Sequence, residues 1–178
     1  MLRQALLTLV TGIVTSSAAA GDGPRYGMGR LASAEELRAA DISVAPDGSG
    51  LPPGSATAAQ GRTDYETKCA ACHGVRGEGS EVYPALVGGR ATLTRSEPLL
   101  TVGSYWPYAT TVWDYINRAM PYQNPGSLTS QEVYALTAYI LFLNKIVGEH
   151  DVLDRHSLPR VRMPNRDGFV PDPRPDVP

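Results

Sequence analysis

Cysteine is nearly absent from this chain of 178 residues: Cys69 and Cys72 are the two it has. A structural zinc site built on them would have to draw on His150 and His156, because only three histidines are present. An excess of positive charge is also missing. Sixteen basic against 18 acidic residues give a net charge of −2, which excludes the basic footprint of a nucleic-acid binder. No run of alternating polar and apolar residues is long enough to build a sheet, so the pattern predicts an all-α fold. No apolar run is long enough to span a bilayer core of about 30 Å, which takes roughly 20 residues.

What is present is ordinary in the middle and unusual at the ends. The apolar fraction of 42% supports a core of normal size. The 18 glycines and 15 prolines gather towards the two ends, which predicts a compact centre with irregular arms.

The first residues, MLRQALLTLVTGIVTSSAAAGD, place Arg3 before a ten-residue apolar run, Ala5 to Val14. Ala18 and Ala20 then form an A-x-A pattern. This predicts a secretory signal peptide over 1–20 and a periplasmic mature protein with no remaining membrane span. Loss of Arg3 would leave 15 basic against 18 acidic residues, a charge of −3.

Export sharpens the meaning of TKCAACHGVRGEG, residues Thr67 to Gly79. Outside the cytoplasm an isolated cysteine pair usually forms a disulfide, and a C-x-x-C pair can also be a redox dithiol. Here His73 follows at once, and C-x-x-C-H is the attachment signature of c-type haem. Each thiol adds to one porphyrin vinyl group, and the adjacent histidine lies beneath the iron as its proximal ligand. The spacing therefore predicts one covalent haem c held by Cys69, Cys72 and His73.

A sulfur atom on the other side of the iron would raise its potential and close it to substrates. Beyond Met1 the candidates are Met28, Met120 and Met163. Met120 ends a short helix, because Pro121 disfavours helical backbone in the residue before it. It sits on a loop between two core helices, where it can approach the iron opposite His73. Met28 lies in the leading arm and Met163 in a proline-rich tail, so Met120 is the expected sixth ligand. His150 and His156 read as surface histidines.

Three helices frame this site. The first is expected over Ala58–Cys72, with Gly61, Tyr65, Cys69 and Cys72 on one face. The second, about Ala109–Met120, buries Val112, Trp113 and Ile116. The third opens with a capping box, Thr129 with Glu132, and a hydrophobic staple, Leu128 with Val133. Val133, Leu136, Ile140, Leu143 and Val147 form its inward stripe, and Gly148 is its expected stop. In the leading arm, Ser33 and Glu36 make a further capping box for a short helix.

From Thr57 to Val147 the sequence resembles a class I cytochrome c domain. The resemblance implies that Gly61 and Tyr139 mark the crossing of the first and last helices. It implies that YPAL supplies Pro84, whose carbonyl holds the ring N–H of His73, and Leu86, which packs on the haem face. Four longer phrases, YGMGRLASAEELRAADISVAPDGSGLPPGS, LVGGRATLT, TVGSYWPYATTVWDYINRAMPY and MPNRDGF, resemble the SoxD-like cytochrome subunits of periplasmic sulfane and sulfite dehydrogenases. Fuller members of that family carry a second haem domain, and this chain has one C-x-x-C-H.

That resemblance implies electron transfer from a molybdenum sulfane or sulfite dehydrogenase subunit, which does the catalysis, to a downstream acceptor such as another cytochrome. A ligand-binding or catalytic haem protein, such as a peroxidase or gas sensor, would need an open sixth position. A stand-alone shuttle for another dehydrogenase is a further alternative. Arg90, Tyr105 and Trp106 supply donors just before the middle helix, and partly buried haem propionates need such donors. The expected organisation is a leader over 1–20, a partner-docking arm over 21–56, a monohaem domain over 57–147 and a proline-rich tail over 148–178.

Overall fold

The computed structural model describes residues 28–174. The expected signal peptide lies outside them, as do residues 21–27 and 175–178. Among the described residues the chain forms five α-helices: α1 (Ala34–Ala40), α2 (Ala58–Lys68), α3 (Ala70–His73), α4 (Ala109–Ala119) and α5 (Ser130–Leu143). No helix among them is long and apolar enough to cross a membrane.

Helix α5 is the centre of the core. The Thr129 hydroxyl accepts the Glu132 N–H, and the Glu132 carboxylate accepts the Thr129 N–H at 2.7 Å, so the expected capping box forms. Every residue from Val133 to Leu141 is buried. The helix is therefore enclosed on all sides, more than the stripe in its sequence suggested. It also ends at Leu143 rather than near Gly148. Lys145 adopts φ 58°, its N–H donates to the Phe142 carbonyl, and the Ile146 N–H donates to the Leu141 carbonyl. This paired closure needs a left-handed residue but here uses lysine in place of glycine, which hid the stop.

Helix α2 crosses α5 where Gly61 faces Ala135, and the Tyr65 and Tyr139 rings pack at 5.2 Å beside the crossing. The single helix expected over Ala58–Cys72 is in fact two. Cys69 has φ −123° and ψ −38°, and its N–H closes α2 on the Tyr65 carbonyl. Its own carbonyl then accepts both the Cys72 and His73 N–H groups, which starts α3 directly after the break. Helix α4 buries Val112, Trp113 and Ile116 as expected, and Trp113 meets the Tyr134 ring at 5.4 Å. Met120 caps α4 in extended backbone, as the following proline requires.

The arms are more ordered than their composition suggested. Residues Ser55–Ala56 (β1) pair antiparallel with Leu153–Asp154 (β2), a two-strand element that an all-α reading did not include. Val44, Leu51, Leu158 and Met163 are buried in the same core as α5, so the core extends beyond 57–147. The Val44 N–H donates to Asp114 Oδ1 at 3.0 Å, and the Tyr134 hydroxyl donates to the Pro52 carbonyl at 3.0 Å. These scattered anchors carry no periodicity, so sequence pattern does not reveal them. Helix α1 has its Ser33–Glu36 capping box, yet buries no residue.

Candidate functional site

A cleft of about 360 Å³ opens between α3, α4 and α5. Cys69, Cys72 and His73 stand among its lining residues, together with Met120, and Leu86, Trp106, Val112, Ile116, Leu136 and Ile140 supply much of its apolar surface. Each comes from a different local signal. The break at Cys69 turns the C-x-x-C-H segment into the cleft, and the extended cap at Met120 brings the methionine in from the end of α4.

His73 Nδ1 lies 2.9 Å from the Pro84 carbonyl oxygen. A carbonyl can only accept, so Nδ1 carries the proton and Nε2 keeps its lone pair for a metal. The loop returns to the histidine at several points. Gly79 N–H donates to the His73 carbonyl at 2.7 Å, and the buried Tyr65 hydroxyl donates to the Gly74 carbonyl at 2.9 Å.

Residues 58–144 match the family described as Cytochrome c. The solved structure of the sulfane dehydrogenase SoxCD from Paracoccus pantotrophus contains a chain 43% identical to this one, aligned over 84% of this chain and 74% of that chain, with a TM-score of 0.77. The chain belongs to the cytochrome c family. A thiosulfate dehydrogenase, TsdBA, from Marichromatium purpuratum is 30% identical over 47% of this chain and 17% of that chain, with a TM-score of 0.36. No curated protein matches the chain.

As an electron-transfer cytochrome the protein carries covalently bound haem c, and its cleft suits that group. The walls are largely apolar, two thiols line one side, and a protonated Nδ1 leaves Nε2 available. The chemistry of the thiols points the same way. Burial pushes Cys69 up to about 11, with the nearby Lys68 charge acting in the opposite direction. A redox dithiol works through a depressed thiol. Cys69 has the reverse, which disfavours that reading.

The other expected site residues divide. Pro84, Leu86 and Trp106 line the cleft, and Trp106 meets the Tyr115 ring edge-on at 5.6 Å. Arg90 and Tyr105 do not line it. Arg90 donates to the Asn144 carbonyl at 2.8 Å and lines a second, smaller cavity with Ser104 and Asn165. Tyr105 packs on Phe169 at 5.2 Å, and its carbonyl accepts from Asn165 Nδ2. The tail that follows β2 holds Tyr105 through Phe169 and Asn165, while the end of α5 holds Arg90 through the Asn144 carbonyl. Met163 is 1% exposed in the core and outside the cleft, and Met28 is 84% exposed. Both histidines expected at the surface, His150 and His156, are exposed.

One residue of consequence escaped sequence reasoning. Asn144 is buried at the end of α5 and ties the Leu86–Gly88 loop to that helix. Its signal was available: it falls four residues after Ile140, a polar residue on an apolar stripe.

Proposed function

We propose that this cytochrome is a periplasmic, single-haem electron carrier in sulfur oxidation, working with a molybdenum sulfane or sulfite dehydrogenase. The observation that carries the reading is the cleft itself, with His73 and Met120 both on its walls. Haem supplies a one-electron couple when its iron is held by a nitrogen and a sulfur. Cys69 and Cys72 would anchor the group, His73 would offer Nε2 to its iron, and Pro84 keeps the histidine in the matching tautomer. Met120 would supply the sulfur, which disfavours a peroxidase or gas sensor. The likeness to SoxCD, at 43% identity, supports the sulfur-oxidising partner.

The partner-docking element of this reading is the segment 28–42. Met28, Leu31, Leu37 and Ile42 are all exposed along it, and α1 buries nothing. A seven-residue helix is far below the roughly 12–15 residues at which isolated helices become stable, so a partner surface would complete it. From Val44 onward the arm belongs to the core.

The test is co-purification from the native periplasm, followed by molybdenum analysis and haem reduction on adding a sulfur substrate. A molybdenum subunit that reduces the haem is the expected result. A haem that stays oxidised with every sulfur donor, in a protein that purifies alone, would overturn the proposal. Removing residues 28–42 should leave haem attachment intact and speed dissociation from the dehydrogenase. Unchanged affinity after removal would reject the docking role.

A further inference from the structure

We propose that Asn144 is a positioning residue that sets the electronic character of the proximal histidine from the far end of α5. Asn144 is 5% exposed, and its side chain is fully engaged. Nδ2 donates to the carbonyls of Leu86 and Ile140, each at 3.0 Å, and Oδ1 accepts the Gly88 N–H at 3.2 Å. The Asn144 carbonyl accepts from Arg90 Nη2 at 2.8 Å. Gly103 lies flush against the amide, where a Cβ would sit 1.9 Å from Oδ1. A buried amide with every polar atom satisfied fixes whatever it binds, because leaving any of those groups unpaired is costly.

What it fixes is the strand of loop that holds His73. Leu86 is two residues after Pro84. The Leu86 N–H donates to the Gly77 carbonyl at 2.8 Å on one side, while its carbonyl is held by Asn144 on the other. The Pro84 carbonyl is thus suspended between the C-x-x-C-H loop and helix α5. Its 2.9 Å hydrogen bond to His73 Nδ1 governs how much negative character the imidazole presents at Nε2. A stronger bond favours the oxidised iron and a weaker one the reduced iron. Loosening Leu86 therefore weakens the bond, softens the iron–histidine link and raises the midpoint potential.

The inference rests on His73 holding the iron, and the experiment separates the two. In ferrous holo-protein carrying Met120→Ala, resonance Raman reads the iron–histidine stretch directly. Adding Asn144→Leu should lower that frequency, and Asn144→Leu alone should raise the potential. Asn144→Ala, which likewise removes the donor to Leu86 and brings no charge into the core, should shift both in the same direction. Leu141→Ala serves as control, since Leu141 is fully buried in the same helix and outside the cleft. It should lower thermal stability and leave frequency and potential unmoved. If the two Asn144 substitutions lower stability as Leu141→Ala does, with frequency and potential unchanged, Asn144 is a helix cap and the proposal is overturned. Absence of any iron–histidine band from a Met120→Ala protein whose reduced spectrum is five-coordinate and high-spin would reject iron binding by His73 as well.

Discussion

Gly61 lies directly against the Ala135 carbonyl: a Cβ on Gly61 would stand 2.0 Å from that oxygen and 3.1 Å from the Tyr139 Cβ. Two helix backbones meet here with no side chain between them. The crossing sets the angle at which α2 delivers Cys69 to the cleft and α5 delivers Leu136 and Ile140. Gly61→Ala should force the helices apart, at a cost of about 3 kcal/mol, since overpacking a rigid contact typically costs 1–3 kcal/mol or more. Thermal denaturation of the holo-protein checks the stability, and the yield of attached haem checks the geometry.

Covalent attachment depends on two sulfurs. The wild-type haem should remain with the polypeptide through acid–acetone extraction. In the variant with both Cys69→Ala and Cys72→Ala it should pass into the organic phase.

Met120→Ala should abolish the weak long-wavelength sulfur-to-iron band of the oxidised protein and admit carbon monoxide to the reduced iron. Met163→Ala should leave both unchanged, because Met163 is buried in the core and outside the cleft. Its cost should appear in thermal stability instead, at about 2–5 kcal/mol for a buried methionine cut to alanine.

Tyr65→Phe removes one hydroxyl and leaves the ring contact with Tyr139 in place. The Gly74 carbonyl retains the Gly77 N–H as donor, so the loss should be near 1 kcal/mol, the usual net worth of one hydrogen bond. Denaturant unfolding with an unchanged slope would register it.

Lys68 bridges Asp64, at 3.0 Å, and Glu132, joining α2 to the first turn of α5. The Lys68 ammonium, followed by the Thr129 N–H and hydroxyl, holds the Glu132 carboxyl at about 2, below its ordinary 4.5. The unfolded chain therefore binds this proton more readily than the folded one. The stabilisation is complete above pH 4.5 and is lost as pH falls towards 2. Both side chains are partly exposed, at 31% and 28%, so screening limits the effect to about 1 kcal/mol. Stability measured across that interval should fall more steeply in wild type than in Glu132→Gln.

Local chemistry made much of this protein legible before any coordinates. C-x-x-C-H is legible as a haem-attachment signature because two thioethers and a histidine on one porphyrin require closely spaced residues. Pro121 ends α4 at Met120 through a clash with the preceding residue, and Thr129 with Glu132 starts α5 by satisfying orphan N–H groups. These effects act within a few residues, so sequence alone determined them. Other features are decided by groups far apart in the chain. Val44 finds Asp114, Tyr134 finds Pro52, and Ser55–Ala56 finds Leu153–Asp154, so the arms join the core. Arg90 turns to the Asn144 carbonyl, and the tail draws Tyr105 and Asn165 together. Such pairings leave no period in the sequence, because each depends on where the packed helices place a single donor or acceptor. Only the tertiary structure decided them.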